Sequence, residues 1–461
     1  MSDKVYVNRT LNMKRISHIG LDMDHTLVRY KGEAFEKITH RIMLEKLVAM
    51  KNYPEEILKL ELHWETAIRG LVIDKNRGNL LKLSRFAAIR LSQHGLDRID
   101  YSTQKKIYKS TYIDLSDPEY DTVDTYFSIA FASLFAQLVD KRDNDPACHS
   151  IPEYSTIARD LNFVLDRAHR DGSIKGIIQN NLPDFIVKDP EVVSGLQRYI
   201  SHNKKIFIVT NSDFDYTKLL LEYAIDPFLE DGKTWRDLFE FVITSAGKPR
   251  FFYDKLKFLR IDPDTGLMSN LGTDKLSPGV YQGGCATQFT DDLELSPDQI
   301  LYVGDHIYGD ILRLKKDCAW RTALVVEEIE QEVEKNRACI QLGDKIAELM
   351  NKKVPHEVEL DKLISDKIEN GVTTHQDRID ELLAMVGDID QKISPLIKEQ
   401  DKYHNPYWGE LMRAGIEESY FAYQVERFAC IYTSKLSTLL SMSPRTYFRA
   451  PKRPMAHEIE F

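Results

Sequence analysis

The chain has 461 residues, of which 43% are hydrophobic and 29% are charged, and its formal net charge is −10 at pH 7. A chain of this length and apolar content can form a sizeable core, in one large domain or in two to three ordinary ones. The negative balance disfavours a protein that coats nucleic acid, although a local basic pocket for a phosphate is compatible with it.

The first strong pattern is ISHIGLDMDHTLVRY, from Ile16 to Tyr30. A short apolar run leads directly into Asp22 and Asp24, which predicts a buried parallel strand that ends at a reactive loop. In an open α/β sheet, ligands bind outside the carboxyl ends of the strands. Two carboxylates this close resist joint ionisation unless a cation neutralises them, so the pair suits a metal-assisted nucleophile and a proton donor. Taken alone, Asp-x-Asp also fits a strand end followed by a helix cap.

The next part of the chain has helical periodicity, with apolar residues at helix spacing from Glu33 to about Tyr112. Further helical blocks are predicted at Asp124–Val139, Asp160–His169 and Ser173–Asn181. We therefore expect a mainly helical insertion between the first strand and the rest of the sheet.

The sheet pattern returns at Lys205 with IFIVTNSD, whose apolar run stops at Thr210, Asn211 and Ser212. Two hydroxyls and an amide at a strand end, facing the start of a helix, can form an anion cradle. An ordinary helix N-cap is the alternative interpretation.

Another strand, predicted at Phe239–Thr244, leads to Lys248 and Pro249. The proline keeps Lys248 extended, so its ammonium can be aimed at a site, whereas a lone lysine is usually solvated. The Asp-, Gly-, Thr- and Ser-rich stretch from Arg260 to Val280 predicts hairpin turns.

The last candidate site segment is ILYVGDHIYGDIL, from Ile300 to Leu312, with Asp305 in the loop after the strand and Asp310 in the first turn of the next helix. Carboxylates in this arrangement are hard oxygen ligands that suit Mg²⁺. Without Asp22 to share the ion, Asp310 would be only a favourable charge at a helix start.

A strand is predicted at Thr322–Val326, and the chain is expected to be helical from about Glu327 to near its end. The two charged periodic segments, Glu357–Asn370 and Gln376–Lys398, indicate packing or oligomerisation and no chemistry. The more apolar segment Tyr420–Met442 is expected to pack against the core.

The five cysteines are scattered and form no Cys-x-x-Cys pair. This pattern predicts a reducing cytoplasm and argues against a zinc or disulfide framework. The N-terminal residues lack the apolar segment of a signal peptide, and no apolar run approaches membrane-spanning length. A cytoplasmic protein with no membrane or nucleic-acid partner is therefore expected.

Four short motifs in this order resemble the haloacid dehalogenase superfamily of phosphohydrolases. They are DMDHTL from Asp22, TNS from Thr210, KP from Lys248, and GD twice, at Gly304 and at Gly309. The longer segments VNRTLNMKRISHIGLDMDHTL, IVTNSDFDYTKLL, GKPRFF, YVGDHIYGDIL and WRTALVV are similar to the cytosolic purine 5′-nucleotidase family, which is specific for IMP and GMP in animals. The resemblance covers most of the chain.

The resemblance implies a doubly wound, mostly parallel α/β sheet with a helical cap and a helical C-terminal region. The expected domains are a catalytic core over residues 1–30 and 178–350, a cap over 31–177 that determines specificity, and a C-terminal region over 351–461 that packs on the core or cap and can support oligomerisation.

The resemblance also implies a mechanism through an aspartyl-phosphate. Asp22 would attack phosphorus, and Asp24 would protonate the leaving ribose oxygen and later activate water. Mg²⁺ would be held by Asp22, by Asp24 through its backbone carbonyl, and by Asp305, with support from Asp310. The phosphoryl group would be held by Thr210, Asn211, Ser212 and Lys248.

The family's base-binding residues correspond here to Phe127, as a stacking surface, and to Asp166 and His169, while Lys175 is expected to reach the phosphate. Where the family places an arginine on the base, this chain has Asn162. Asp166 and His169 also fit an ordinary pair on a helix surface.

Further properties of the family give three more expectations. A nucleotide effector would contact Tyr308 and Lys316, phosphoryl transfer to a nucleoside would accompany hydrolysis, and the protein would form a homo-oligomer, either a dimer or a tetramer. The substrates would be purine nucleoside monophosphates of the IMP, GMP or dGMP type. The alternatives are a phosphatase of another monoester, such as a sugar phosphate, and a nucleotide-binding scaffold without catalysis.

Overall fold

The computed structural model describes residues 4–109, 112–272 and 274–459. The predicted outer domain limits at residues 1 and 461 lie outside these residues, as do residues 110 and 111 of the stretch predicted to be helical. Within the described ranges, no helix is both long and apolar enough to cross a lipid bilayer.

The strands, in chain order, are Tyr6–Val7 (β1), Leu11–Asn12 (β2), His18–Leu21 (β3), Arg29–Tyr30 (β4), Leu71–Asp74 (β5), Asn79–Leu83 (β6), Ile89–His94 (β7), Asp97–Arg98 (β8), Tyr120–Thr122 (β9), Ile186–Val187 (β10), Lys205–Val209 (β11), Phe241–Thr244 (β12), Phe258–Ile261 (β13), Met268–Asn270 (β14), Gly279–Gly283 (β15), Ile300–Gly304 (β16), Arg321–Val325 (β17), Arg413–Ala414 (β18), Glu417–Glu418 (β19), Ile431–Thr433 (β20) and Tyr447–Phe448 (β21).

The α-helices are Gly32–Lys51 (α1), Tyr101–Tyr108 (α2), Ile129–Asn144 (α3), Tyr154–Arg170 (α4), Ser173–Asn180 (α5), Leu182–Phe185 (α6), Pro190–Ser201 (α7), Phe214–Ala224 (α8), Arg250–Tyr253 (α9), Ala286–Asp292 (α10), Arg313–Asp317 (α11), Glu328–Ala338 (α12), Ile340–Asn370 (α13), Gln376–Asp401 (α14), Tyr420–Phe428 (α15) and Leu436–Ser441 (α16). A π-helical segment, Ile307–Leu312, directly precedes α11.

The main sheet has the strand order β1-β20-β17-β16-β3-β11-β12-β15-β13-β14. The strands from β20 to β15 are parallel to their neighbours, whereas β1, β13 and β14 are added antiparallel at the two edges. The predicted hairpin after Arg260 is the antiparallel β13–β14 pair. The strand that leads to Asp22 therefore lies inside the sheet, with β16 on one side and β11 on the other.

Gly20 in β3 shows how closely this central strand is packed. A Cβ at this position would lie 2.5 Å from Cζ of Phe207 and 2.7 Å from Cδ2 of Tyr302, on the two neighbouring strands. Only a residue without a side chain leaves room for both rings. The apparent interruption of the apolar run at Gly20 is thus a packing requirement.

Each face of the sheet is covered by helices, which confirms the predicted doubly wound α/β architecture. Ile19 and Leu21 of β3 belong to a core that includes residues of α7, α8 and α16. Phe207 and Tyr302 belong to a second core that includes residues of α9, α10 and α11.

The insertion after β4 contains more than helices. The prediction of helix from Glu33 to Tyr112 is correct for α1 and α2 but wrong between them, where β5, β6, β7 and β8, together with β9, form a five-stranded antiparallel sheet. All residues of β5 and β6 are buried. A strand buried on both faces shows no alternation of polar and apolar residues, so its sequence cannot be distinguished from a buried helix by periodicity.

The described residues form two compact units, one of residues 4–329 with 411–459 and the other of residues 330–410. In the second unit, α13 and α14 pack around Leu360, Ile379 and Leu382. The C-terminal end therefore differs from the predicted single helical region over 351–461, because β20 pairs in parallel with β17 and joins the main sheet. β20 has only three residues, too few to reveal a strand by its pattern. The division into catalytic core and cap stays a prediction.

Glu36 of α1 is a fully buried carboxyl group inside the first unit. One oxygen, Oε2, accepts a hydrogen bond of 2.6 Å from the backbone N–H of Ala130, and Oε1 has no partner among the described residues. Burial raises the pKa of Glu36 to about 8, against the opposing effect of the Ala130 bond. Glu36 is therefore protonated in the folded chain at pH values where the unfolded chain has lost this proton.

We predict that the Glu36→Gln variant becomes more stable relative to the native protein as the pH rises. Between the pKa of Glu36 in the unfolded chain, near 4.5, and its pKa in the folded chain, near 8, this group lowers the unfolding free energy of the native protein by about 1.4 kcal/mol per pH unit. The glutamine side chain of the variant does not titrate, so the variant lacks this loss. The measurement is the melting temperature of both proteins from pH 5 to pH 9. The difference between them isolates Glu36 from the other titrating groups.

Glu45→Gln on the same helix is the matched control, because Glu45 is exposed and its ion pair with Arg41 is exposed as well. Its melting temperature should follow that of the native protein at every pH. Parallel pH curves for native protein and Glu36→Gln would show that Glu36 is ionised in the fold.

Candidate active site

A cavity of about 570 Å³ opens at the carboxyl ends of β3, β11, β12 and β16, and residues of the insertion form its other wall. Its lining has a polar end, formed by the acids and Lys248, and a more aromatic part, formed by Tyr30, Phe35, Phe127 and Tyr216. The cavity therefore offers both a charged and an apolar surface to one ligand.

Asp22 is fixed directly at the end of β3. Its backbone N–H donates to the carbonyl of Val303 at 2.8 Å, which extends the pairing with β16, and its Oδ1 accepts from the N–H of Met23 at 2.7 Å. The residue is 8% exposed. A carboxylate held this way points at the cavity and keeps little contact with water.

Lys248 lies between two carboxylates. Its Nζ is 2.7 Å from Oδ1 of Asp22 and 2.7 Å from Oδ1 of Asp310. It also donates to the hydroxyl of Tyr302 at 3.1 Å, and only 5% of its side chain is exposed. The loop is held by Asn211, whose side-chain amide donates to the Lys248 carbonyl at 3.1 Å and accepts from the Lys248 N–H at 2.6 Å.

Asp305 and Asp310 lie beside Asp22. One carboxylate oxygen from each of the three can be chosen such that all lie within 4.8 Å of one another. The close approach depends on Gly304, where a Cβ would lie 2.5 Å from Oδ2 of Asp310. The same Oδ2 accepts from the backbone N–H of His306 at 3.2 Å. Three hard oxygen donors at this spacing fit a Mg²⁺ ion that also keeps water or phosphate ligands.

The charges at this site are out of balance. Burial, with the nearby carboxylate of Asp310, raises the pKa of Asp22 well above its usual range, although Lys248 opposes the shift. Burial and Asp310 likewise raise the pKa of Asp305 to about 8. For Lys248, burial disfavours the ammonium, but Asp22 and Asp310 outweigh it and raise its pKa. Lys248 and, at Asp305, the nearby guanidinium of Arg69 oppose these pKa shifts but do not cancel them, so the site favours a further cation.

Asp24 points to a different set of partners. The hydroxyl of Tyr30 donates to its Oδ1 at 2.6 Å, and the hydroxyl of Ser212 donates to its Oδ2 at 2.9 Å. The Tyr30 and Tyr216 hydroxyls are 3.0 Å apart, so a second tyrosine supports the first. The Asp24 side chain lies outside the group of three acids, and its predicted backbone ligation remains a prediction.

The three residues after β11 differ in their placement. Asn211 and Ser212 line the cavity, whereas Thr210 is fully buried, and its hydroxyl accepts from the N–H of Ser212 at 3.0 Å. The loop is thus shaped by Thr210, and it presents the other two side chains to a ligand.

Phe127, His169 and Lys175 line the cavity as the sequence analysis expects. The rings of Phe127 and His169 meet edge to face at 6.1 Å between centroids. Burial lowers the pKa of His169, and Lys175 lowers it further, so the imidazole is neutral at neutral pH. The ammonium of Lys175 bonds Oδ2 of Asp213 and lies 4.8 Å from the centre of the Tyr216 ring.

Neither Asp166, which was predicted to bind the base, nor Asn162, which stands where the family has a base-binding arginine, is among the residues that line the cavity. Asp166 is exposed and pairs with Arg170, whose Nε is 3.0 Å from Oδ1 of Asp166. It is Arg170 that lines the cavity. Asn162 lies in a separate open groove with Lys75 and other polar residues. Residues 162, 166, 169 and 170 lie on the same side of α4, because they are spaced by three or four positions. The sequence does not show which of these side chains point into the cavity.

The two residues expected at an effector site, Tyr308 and Lys316, are both exposed and do not line the cavity. Lys316 Nζ lies 5.7 Å from the centre of the Phe428 ring. Binding of an effector there stays a prediction.

The sequence analysis missed several side chains that the fold brings to the site. Tyr30, Tyr216, Asp213 and Thr125 all line the cavity. Tyr30 is the last residue of the motif that contains Asp22 and Asp24, so its place in that motif could have identified it as a site residue. Asp213 and Tyr216 lie within the segment IVTNSDFDYTKLL, directly after Ser212, so their place offered a signal as well, whereas no local pattern identifies Thr125.

Comparison with known proteins gives a consistent result. A model of the 5′ nucleotidase family matches residues 5–460. The chain is 26% identical over 465 residues to a 5′-nucleotidase domain-containing protein of Dictyostelium discoideum, covering 99% of this chain and 75% of that protein. It is 24% identical over 474 residues to 5′-nucleotidase domain-containing protein 2 of Homo sapiens, covering 98% of this chain and 85% of that protein.

Among solved structures, the crystal structure of CbbY from Rhodobacter sphaeroides in complex with phosphate aligns with a TM-score of 0.23 and 12% sequence identity. The alignment covers 67% of this chain and 86% of that chain.

We predict that Lys248→Met destabilises the protein at pH 8 by about 3 kcal/mol or more, because it leaves buried carboxylates without their ammonium. The loss should be smaller at pH 5, where protonation of carboxyl groups with raised pKa values relieves the repulsion. Mg²⁺ should restore part of the stability at pH 8. Thermal unfolding at both pH values, with MgCl₂ and with chelator, measures these effects.

The matched control is Lys352→Met, since the Lys352–Glu348 pair is exposed on both sides. Such pairs contribute about 0–1 kcal/mol, so this variant should behave like the native protein. Equal effects of the two substitutions at both pH values would contradict the charge imbalance described for the site.

Proposed function

The chain belongs to the 5′-nucleotidase family, a family of phosphoric monoester hydrolases, and we propose that it is a Mg²⁺-dependent phosphatase of purine nucleoside 5′-monophosphates. The observation that carries the proposal is the placement of Asp22 beside Lys248, Asp305 and Asp310 at the polar end of a cavity with aromatic walls. Phosphoryl transfer requires fixed charge around phosphorus and a nucleophile in line with the leaving group, and the charged groups at this end of the cavity support assigning these roles to them.

The reaction follows from the placement of two carboxylates. Asp22 attacks phosphorus and forms an aspartyl-phosphate, while the bond from phosphorus to the ribose 5′-oxygen breaks and protonated Asp24 gives its proton to that oxygen. Asp24 then takes a proton from a water molecule, whose oxygen attacks the aspartyl-phosphate and releases inorganic phosphate and free Asp22. The hydroxyls of Tyr30 and Ser212 orient Asp24 for both steps.

The phosphoryl group meets fixed donors in this arrangement. The ammonium of Lys248 and the side-chain amide of Asn211 line the cavity and would donate to the phosphoryl group, while Ser212 lines the same cavity and donates its hydroxyl proton to Asp24. Mg²⁺ bound by Asp22, Asp305 and Asp310 would offset negative charge on the phosphoryl oxygens. Because the donors are held before the substrate arrives, little reorganisation is needed in the transition state.

Base recognition is assigned to the aromatic part of the cavity. Phe127 offers a ring for stacking, and neutral His169 offers one donor and one acceptor to the polar edge of a purine. Arg170 lines the same cavity and adds a planar hydrogen-bond donor. It would take the role of the family's base-binding arginine, whose position is occupied here by Asn162, outside the cavity. Purine preference and the role of residues 31–177 as the specificity cap are parts of this proposal.

Three further properties belong to the proposal. A nucleoside 5′-hydroxyl replacing water would make the enzyme a phosphotransferase. A nucleotide effector would bind at Tyr308 and Lys316, and the protein would assemble as a dimer or tetramer. The five cysteines are all free thiols in the structure, which supports a reducing, cytoplasmic location.

Phosphate release tests the proposed activity. We expect the native protein to release phosphate from IMP and GMP with Mg²⁺ and not with chelator, and Asp22→Asn to lose at least about 10³-fold in kcat, because the amide cannot act as nucleophile. Asp388→Asn is the control, since Asp388 is exposed and pairs with the exposed Lys392 in the unit of residues 330–410.

Each other outcome rejects part of the proposal. Release from sugar phosphates but not from nucleotides would keep the mechanism and overturn the substrate. Phosphate release that survives in Asp22→Asn would remove Asp22 as nucleophile. Nucleotide binding without any turnover would favour a scaffold.

Base recognition has its own test. We predict that Phe127→Ala raises KM for GMP about tenfold, because stacking of a base on an aromatic ring contributes about 1–3 kcal/mol. Turnover of a small phosphate ester without a base should change little. Asn162→Ala should leave KM for GMP unchanged, because Asn162 lies outside the cavity. A larger effect at Asn162 than at Phe127 would place the base elsewhere.

A further inference from the structure

The insertion carries a buried arginine that reaches the loop of the acids. Arg69 lies two residues before the start of β5, and its side chain has no exposed surface. Its Nη1 donates to the backbone carbonyl of Asp305 at 3.0 Å. Its Nε donates to Oε1 of Glu328 at 2.9 Å, and Nη2 donates to Oε2 of the same carboxylate. A single guanidinium thus joins the insertion, the Asp305 loop and the start of α12.

The surroundings of Arg69 leave the guanidinium little freedom. Its central carbon lies 5.1 Å from the ring centre of Tyr126 and 5.3 Å from that of Phe421. The next residue, Gly70, has φ +83°, and a Cβ there would lie 2.6 Å from Cβ of Phe421. The chain can therefore approach α15 this closely only with glycine at position 70, and the approach places Arg69 against the Asp305 loop.

A second residue of the insertion contacts the same acid. The hydroxyl of Thr125 donates to Oδ2 of Asp305 at 3.3 Å, and Thr125 is 8% exposed. Asp305 is thereby held at its carbonyl by one segment of the insertion and at its carboxylate by another.

Asp305 differs in this respect from the other two acids. Asp22 and Asp310 share the ammonium of Lys248, which comes from the loop after β12 of the main sheet. The contacts of Asp305 with Arg69 and Thr125 come from the insertion. The three carboxylates all follow strands of the main sheet, but the groups that hold them come from two parts of the chain, the loop after β12 and the insertion.

We propose that Arg69 and Thr125 are positioning residues that fix Asp305 for Mg²⁺ binding, so that the insertion completes the cation site in addition to covering the cavity. The inference rests on the proposed function, because it takes the three acids as the metal site. Arg69 acts through the Asp305 backbone and makes no contact with substrate in this role.

The test is the binding of Mg²⁺ to the full chain by isothermal titration calorimetry, without substrate, so that the readout does not depend on turnover. We expect Arg69→Met to raise the Mg²⁺ dissociation constant about 10-fold or more, since partners of metal ligands typically contribute 10–100-fold in affinity. Thr125→Val should raise it by a smaller factor. Saturating Mg²⁺ should recover more of the Arg69→Met kcat than of the Asp22→Asn kcat.

Two controls separate positioning from folding. Glu328→Gln removes the charged partner of Arg69 but keeps the bond to the Asp305 carbonyl, so its Mg²⁺ affinity should stay within about threefold of native. Arg378→Met removes a similar two-bond pair with Glu359, at 2.8 and 2.9 Å, in the unit of residues 330–410. Its affinity should be native.

The possible outcomes distinguish a failure of the proposed metal site from a failure of the positioning role proposed for Arg69 and Thr125. If the native protein binds no Mg²⁺ at millimolar concentration, the metal site of the proposed function fails, and this inference fails with it. If the native protein binds Mg²⁺ and folded Arg69→Met binds it equally well, only this inference is overturned. Should Arg69→Met not fold by circular dichroism, Arg69→Lys and Thr125→Val decide by the same criterion, because native affinity in both would overturn it.

Discussion

The fold depends on holding three carboxylates close together in a site with little water. Asp22, Asp305 and Asp310 repel one another, and burial makes their ionised forms more costly. Lys248 offsets part of this charge through two contacts of 2.7 Å. The remaining imbalance is the physical basis of the Mg²⁺ site proposed above. The sheet, its glycines and the insertion all contribute to keeping this arrangement in place.

Close packing fixes where the charges lie. Gly20 lets β3 pass between two aromatic rings, and Gly304 lets Asp310 approach the strand that precedes it. The polar groups that orient Asp24, on Tyr30 and Ser212, come from β4 and from the loop after β11. Catalytic geometry in this protein is therefore a property of packed strands and their loops, which is why the acids can be held despite their repulsion.

The two ends of the cavity were predictable to different degrees. Asp22 and Asp305 follow buried strands directly, and Lys248 lies in the loop after another. Parallel strands bring their carboxyl ends to one edge, so the convergence of these residues could be expected from sequence. The base end lies on α4 and on the segment before α3, where the direction of a side chain depends on how the helices pack. Phe127 and His169 line the cavity, while Asp166 faces solvent beside Arg170, which the sequence analysis did not consider.

The sequence by itself determined the doubly wound sheet, the order of the motif-bearing strands, the acids with Lys248, and the family. These follow from short-range patterns, because an apolar run and the polar residues after it are adjacent in the chain. Only the tertiary structure decided that β5 to β9 form a sheet, that β20 joins the main sheet, and that Arg69 and Thr125 reach Asp305. The contacts of Arg69 and Thr125 with Asp305 join residues 236 and 180 positions apart, and all of these features depend on the packing of whole elements, which local periodicity does not encode.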